Sequence, residues 1–241
     1  MPRHHRRDPI FRYRRYEDDI VVLCVRWYIS YRLSLRDLTE MMAERGMVIY
    51  PSTIWRWVQR FVPEFEKRWD ALRRPTGNSW RVDETYVKVR GKWHYLYRAV
   101  DKQGRTIDFL LRPDRGIHAA QAFFRKAVAT NHGHGPRKVT LDGHVPTRRA
   151  LWLLRREALF WRRAKIRTNR YLNNIVEQDH RAIKRRCAAI HGFKSTVAAA
   201  VTIAGMELAH RIRKHQFRLG RARGRRRHSM LTAWNRALFV V

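Results

Sequence analysis

Residues 80–100 read WRVDETYVKVRGKWHYLYRAV, and this stretch decides the expected fold class. From Trp80 to Arg90 the residues fall into two alternating sets, as on the two faces of a strand. The alternation resumes from Trp93 to Val100 after a turn centred on Gly91. Alternation with a period of two on both sides of a glycine turn is typical of paired antiparallel strands. The stretch therefore predicts a β-hairpin at the beginning of a sheet domain.

The chain after the hairpin mixes strands with helices. A further strand at 106–111 completes an antiparallel meander, and helices then alternate with short strands. This order predicts an α/β fold with a mixed sheet flanked by helices. The expected later elements are helices at 118–130, 147–159 and 173–189 and strands at 138–141 and 164–167.

The chain before the hairpin carries apolar residues at helical spacing. We expect a helix from Glu17, a second helix capped by Ser34 and stopped at Gly46, and a third helix capped by Ser52 and ended by Pro63. The tight connection between the last two helices predicts a helix-turn-helix, although a plain three-helix packing unit fits the pattern too. The outward face of the third helix supplies the candidate DNA contacts Thr53, Arg56, Gln59 and Arg60.

These patterns divide the chain into consecutive regions. The small all-helical domain precedes the α/β domain, and turn residues near Pro75 separate them. The regions are a basic arm (1–16), a helix-turn-helix domain (17–62), a linker (63–79), an α/β catalytic domain (80–190), a C-terminal helix (191–215) and a basic tail (216–241).

The charge balance predicts a polyanionic partner. The chain has 53 Lys and Arg against 20 Asp and Glu, a net charge of +33, and double-stranded DNA is the partner that such a charge favours. Residues 211–228 contain nine Lys or Arg and no acid, so we expect them to contact the DNA backbone.

Neither a membrane nor a structural metal site is expected. The apolar stretch 20–29 is short and interrupted by Arg26, and no signal peptide is recognisable. Cys24 and Cys187 lack metal-ligand spacing and are expected to be free thiols in helices. We therefore expect a cytoplasmic protein.

Three acidic residues stand at informative places in this basic chain. Asp83 lies midway along the first strand, Asp142 follows the fourth strand, and Glu177 lies in the first turns of the last long helix. In an RNase H-like fold the first and fourth strands are neighbours, so the three carboxylates meet at one edge of the sheet. Carboxylates suit Mg²⁺, and a pair of ions can clamp the attacking and leaving oxygens of a phosphodiester.

The sequence around these residues resembles the DDE-type bacterial insertion-sequence transposases of the IS-six family. The resemblance runs from about residue 17 to 215. It departs from the family at Gly116 and His118, which follow Arg115 where an acidic residue is expected, and the segment after 215 is unlike the family core. The segments that carry it are WRVDETY (80–86), WHYLYRAVD (93–101), VTLDG (139–143) and YLNNIVEQDHRAIKRR (171–186).

The resemblance implies an RNase H-like catalytic domain that cleaves and joins DNA strands with Mg²⁺, two ions being expected and Mn²⁺ able to substitute. It implies that the protein moves its own insertion element, typically by cointegrate formation. By the motif, Asp83, Asp142 and Glu177 are the catalytic residues and the metal ligands.

The last long helix also supplies candidate DNA contacts. Lys184 lies seven residues after Glu177, close to the same helix face, where a cation can hold phosphate. Arg181 and Arg185 are further candidates, and Arg181 can instead form an ion pair with Glu177. Glu84 points to the sheet face opposite Asp83 and is not expected to be a ligand.

Two other function classes fit the same residues. One is a non-enzymatic helix-turn-helix DNA-binding protein or an inactive transposase remnant, and the other is a nuclease of the same fold that cleaves without joining. A transposase must handle two element ends together, so we expect a homodimer or a higher oligomer on DNA.

Overall fold

The computed structural model describes residues 9–11, 15–168, 174–190, 192–219 and 229–238. The chain divides into two compact units: Met1–Arg73 with Val201–Val241 form the first, and Arg74–Ala200 form the second. Within the described residues, no helix combines the length and apolar character needed to cross a membrane.

The second unit is built on a five-stranded mixed sheet. Its order is β3-β2-β1-β4-β5; β1, β2 and β3 pair antiparallel, whereas β4 is parallel to both β1 and β5. The first and fourth strands are thus neighbours, and the expected RNase H-like fold is confirmed. The strands are β1 (Ser79–Val89), β2 (Lys92–Asp101), β3 (Thr106–Arg112), β4 (Lys138–Leu141) and β5 (Lys165–Thr168).

Helices pack on both faces of this sheet. The face that carries Trp80 and Val82 is buried with Phe123 and Leu151 of two helices, α4 and α5, and α7 lies on the opposite face with Asp83. The helix expected at 147–159 is wrong in its extent, because a turn separates α5 from α6. The helices are α4 (Ile117–Thr130), α5 (Val145–Leu154), α6 (Leu159–Arg163) and α7 (Asn174–Ala188).

The first unit begins with the three helices that the sequence predicts: α1 (Asp18–Ser30), α2 (Leu35–Ala43) and α3 (Pro51–Asp70). The side chain of Ser34 accepts from the Asp37 backbone N–H, and the Asp37 carboxylate accepts in return from the Ser34 backbone N–H. This reciprocal cap fixes the start of α2. A positive φ of 71° at Gly46 ends the turn after α2, as expected.

The predicted limits of α3 are wrong at both ends. The helix begins at Pro51 with Tyr50 as its N-cap residue, so Ser52 is inside the first turn, and it continues through Pro63 to Asp70. An internal proline costs about 3 kcal/mol, but Phe65 and Trp69 are fully buried beyond it. Burial of two aromatic side chains, each worth roughly 1.5–3 kcal/mol, offsets that cost. The predicted linker therefore begins as helix.

The C-terminal part of the chain is more structured than a basic tail. Two helices, α8 (Thr196–Arg213) and α9 (Met230–Leu238), follow α7. Phe217 packs on Trp69, and Trp234 of α9 is fully buried against α3. Arg211 is buried as well, which contradicts its expected role as an exposed DNA contact. Residues 220–228 of the predicted tail lie outside the described part.

The predicted N-terminal arm also contributes to the core where it is described. Phe11 belongs to a short 3₁₀ turn at Pro9–Phe11 and is fully buried, with its ring centroid 4.9 Å from that of Phe61. The predicted basic arm is therefore part of the packed unit at this position, because burial in a hydrophobic site stabilises an aromatic side chain.

Candidate active site

Asp83 lies midway along β1 on the sheet face that α7 covers, and only 14% of its side chain is exposed. Burial raises the pKa of its carboxyl from 3.8 to about 6. The backbone N–H of Glu84 lowers this pKa, whereas the negative charges of Asp142, Glu84 and Glu177 raise it further. Asp83 therefore shares one edge of the sheet with both of the other predicted carboxylates.

Asp142 and Glu177 are exposed at that edge. Asp142 directly follows β4, the strand beside β1, and its Oδ1 accepts a 3.0 Å hydrogen bond from the backbone N–H of His144. Glu177 lies in the first turn of α7. In the described part of the chain, no group of three or more His, Cys, Asp or Glu side chains is arranged closely enough to hold a metal ion.

The chemistry of these side chains nevertheless suits a divalent cation. All three are carboxylates, which hard divalent ions prefer, and carboxylates that share a site repel one another, so one of them has a raised pKa. Burial is the main cause of the raised pKa of Asp83, and repulsion by Asp142 and Glu177 adds to it. A cation bound between Asp83, Asp142 and Glu177 would relieve this repulsion.

His180 is a site residue that the sequence analysis did not assign. It is buried on α7, and its Nδ1 lies 3.4 Å from Oδ2 of Asp83. Burial, with the positive charges of Arg98 and Lys184, lowers the His180 pKa to about 3, so the imidazole is neutral at pH 7 and leaves the Asp83 charge uncompensated. Its position three residues after Glu177 was the only sequence signal, and a lone histidine on a helix is not distinctive.

A buried ion pair joins α7 to the sheet behind Asp83. Arg98 of β2 is fully buried directly opposite Asp83 in the strand register, and its Nη2 lies 3.4 Å from Oδ2 of Asp179. Removal of either charge would break a buried ion pair, a change that typically costs about 3–5 kcal/mol. Asp179 is thus a supporting residue that holds α7, and with it Glu177, against β1 and β2.

Glu84 is held on the other face of β1, as expected for a residue that is not a ligand. Its side chain is 4% exposed; Oε2 accepts from Nε of Arg115 at 2.6 Å, and Oε1 accepts from the hydroxyl of Thr147 at 2.5 Å. Thr147 Oγ1 is also 3.0 Å from Nδ1 of His144, whose backbone N–H binds Asp142. A chain of hydrogen bonds therefore connects β1 with the loop that carries Asp142.

The basic residues of α7 extend this edge. Arg181, Lys184 and Arg185 are all exposed, and the charge of Lys184 reaches His180 beside Asp83. The structure thus places the predicted cation Lys184 near the carboxylates, on the solvent side of α7.

The four predicted DNA contacts on α3 differ in their exposure to solvent. Arg56 and Arg60 are exposed and Thr53 is half-buried. Gln59 does not lie on the exposed face: it is half-buried, and its Nε2 donates to the hydroxyl of Thr202 on α8 at 3.1 Å. The predicted exposure of Gln59 is wrong, because the sequence pattern of α3 alone does not reveal that α8 packs beside it.

Comparison with known proteins places this site in a family. A family model for the DDE domain matches residues 77–216. The transposase of the insertion sequence-like element IS431mec from Staphylococcus aureus strain Mu50 is 36% identical over 209 residues, covering 85% of this chain and 88% of the relative. The chain belongs to the IS-six family of DDE transposases. The transposase of IS257 in transposon Tn4003 of Staphylococcus aureus has the same identity and coverage.

Solved structures similar to this transposase are retroviral integrase cores. The magnesium complex of the HTLV-2 integrase catalytic core is 14% identical with a TM-score of 0.42 and covers 55% of this chain and 86% of that one. The BIV integrase core is 16% identical with a TM-score of 0.38, covering 67% and 94%.

DNA cleavage and strand transfer is the general activity of the family, so this transposase is an enzyme of DNA transposition. The alternative of a non-enzymatic helix-turn-helix protein is thereby overturned.

Proposed function

We propose that Asp83, Asp142 and Glu177 are the catalytic carboxylates and that together they hold two Mg²⁺ ions, for which Mn²⁺ substitutes. The observation that carries the proposal is the placement of the three carboxylates: Asp142 follows β4, the strand beside β1, and Glu177 lies in the first turn of α7, the helix that covers Asp83. The charges of Asp142 and Glu177 also contribute to the raised pKa of Asp83, after the larger effect of burial. The arrangement is therefore best understood as a binding site for divalent cations.

Each residue near the site has its own part in the reaction. Bound ions would supply Lewis acidity and stabilise the charge on the phosphodiester oxygens. Neutral His180 packs against Asp83 and limits its movement, and the hydrogen bonds from Glu84 through Thr147 hold the loop of Asp142. Exposed Lys184 binds a DNA phosphate beside the carboxylates, and the same role falls to Arg181 and Arg185 further along α7.

The substrate of this activity is the transposase's own insertion element. Exposed Arg56 and Arg60, with Thr53, would read the element ends from α3, while the α/β domain cuts and joins strands, with a cointegrate as product. Two ends must be joined in one event, so we propose a homodimer or higher oligomer on double-stranded DNA. Because that DNA is chromosomal or plasmid DNA, the enzyme would act at the bacterial nucleoid, in the cytoplasm.

Strand transfer of a pre-cleaved element end in the presence of Mg²⁺ tests the proposal. Asp142→Asn keeps the shape and the acceptor for the His144 N–H but removes the charge, so it should abolish transfer while gel-shift affinity for the end and the melting temperature change little. Glu157→Gln is the matched control, because Glu157 is an exposed carboxylate paired with Arg125 away from the site. Near-full activity of Asp142→Asn would show that this carboxylate is misassigned, and a transposase that cleaves but never joins would be a nuclease.

A further inference from the structure

The β1–β2 hairpin carries an exposed group of aromatic rings beyond the catalytic edge. Tyr86 is 46% exposed, Trp93 is 60% exposed, and Tyr95 is half-buried. The ring centroid of Tyr86 lies 6.2 Å from that of Trp93 and 5.4 Å from that of Tyr95. Tyr86 and Tyr95 are register partners, and Trp93 pairs with Lys88, so all these side chains stand on one face of the sheet. We call Tyr86, Trp93 and Tyr95 the aromatic platform.

The hydrophobic core accounts for Tyr95, which packs against it, but not for the exposed rings of Tyr86 and Trp93. On the same face, Val82 and Tyr97 are buried under the helices that cover the sheet. The hairpin extends beyond that cover, because β4 pairs with β1 only at 79–81. Large exposed aromatic side chains in contact with one another form an apolar patch, which commonly marks a binding surface.

Cations are interleaved with the rings. The Nζ of Lys88 lies 5.7 Å from the Trp93 ring centroid, and the guanidinium of Arg115 lies 5.9 Å from that of Tyr95. Arg90 and Lys92 at the hairpin turn are exposed. The acids close to this face are both paired with arginines, Glu84 with Arg115 and Asp114 with Arg112. Aromatic rings set among cations are the usual surface for unpaired nucleotides, whose bases stack on the rings while their phosphates meet the cations.

We propose that the aromatic platform binds unpaired bases of the DNA substrate by stacking, with Lys88 close to the phosphates. The proposal deepens the proposed function and rests on it. Tyr86 lies three residues along β1 from Asp83, roughly 10 Å at the rise of a strand, and on the opposite face of the sheet. The platform would therefore receive a single strand that passes around the exposed hairpin, not the bases held at the carboxylates themselves. A second copy of this chain is a poorer occupant, because each copy carries a net charge of +33 and the face itself is basic.

The affinity of the full-length protein for two DNA probes tests the platform without metal and without cleavage. The probes are a single-stranded thymine oligonucleotide and a blunt duplex of the same length, measured at one salt concentration because binding of both depends on salt. Trp93→Ala should weaken binding of the single strand by about fivefold to about a hundredfold, the loss that corresponds to one base stack. Binding of the duplex should change by less than about twofold. Trp93→Phe should retain most of the affinity for the single strand.

Trp152→Ala is the matched control. Trp152 is also exposed, at 53%, and also carries a cation over its ring, with Arg156 5.1 Å away. An equal loss for both probes, no loss for either, or the same loss in Trp152→Ala would overturn the platform. A Trp93→Ala protein that loses self-association in sedimentation but binds the single strand normally would make the face a protein interface instead. Failure of the catalytic carboxylates would be seen separately, as strand transfer that persists in Asp83→Asn.

Discussion

Removing the negative charge of Asp83 should make the metal-free protein more stable at neutral and alkaline pH. The pKa of this carboxyl rises from 3.8 to about 6 on folding, first because of burial and further because of the charges of Asp142, Glu84 and Glu177. At about 1.36 kcal/mol per pKa unit, the ionised side chain destabilises the folded state by about 3 kcal/mol. Asp83→Asn avoids that cost and keeps an oxygen to accept from the Glu84 backbone N–H.

The sign of the effect defines its pH window. A carboxyl with a raised pKa in the folded state contributes stability below pH 3.8, and this contribution is lost as the pH rises through about 6. Wild type and Asp83→Asn should therefore be nearly equal in stability near pH 4 and should diverge until slightly above pH 6. Since about 1 kcal/mol shifts the melting temperature of a chain this long by about 2–4 °C, the largest gap is about 6–12 °C.

Thermal unfolding across a pH series, in chelator and then with Mg²⁺, measures this gap. Mg²⁺ should stabilise the wild type, because a ligand of the folded state adds stability, and should have little effect on Asp83→Asn. The control Glu157→Gln should show the opposite trend, because the hydrogen bond from Arg125 lowers the pKa of Glu157. A variant less stable than wild type at pH 8 in chelator, or a gap that does not change with pH, would refute the reasoning.

Substitutions at four further positions separate positioning, phosphate binding and base reading. Thr147→Val removes the hydroxyl between Glu84 and His144, so it should lower the rate of strand transfer at least about tenfold while the affinity for element ends stays unchanged. Thr147→Ser keeps a hydroxyl and should restore the rate. If Thr147→Val transfers strands as fast as wild type, the hydrogen-bonded chain does not position Asp142. Lys184→Ala should weaken all DNA alike and reduce the log–log salt slope of binding by about 0.9, the value for one phosphate; an unchanged slope would show that Lys184 makes no phosphate contact. Arg56→Ala should weaken binding to element ends by about 1–3 kcal/mol more than it weakens binding to random DNA. Gln59→Ala should affect binding to both DNAs equally. If only Gln59→Ala loses the preference for element ends, this assignment of α3 is reversed.

Local patterns were sufficient to predict the elements that position the carboxylates. The alternation along β1 and β2 and the apolar run of β4 depend on neighbouring residues in the chain, so they predict the strands themselves. The adjacency of β1 and β4, which brings Asp83 and Asp142 to one edge, came instead from the expected RNase H-like fold. The extension of α3 past Pro63 and the burial of Gln59 depend instead on α8 and α9, more than a hundred residues away. A helical pattern does not indicate what will cover its polar flank.

The interior of the site has the same dependence on distant partners. Asp179 is a charged residue buried on α7, and it pairs there with Arg98, 81 residues earlier in the chain. The sheet buries Asp179 and His180 of α7 and leaves Glu177 exposed at its edge. The exposed carboxylate thus owes its position to the buried pair, because rotating α7 to hide Glu177 would separate Asp179 from Arg98.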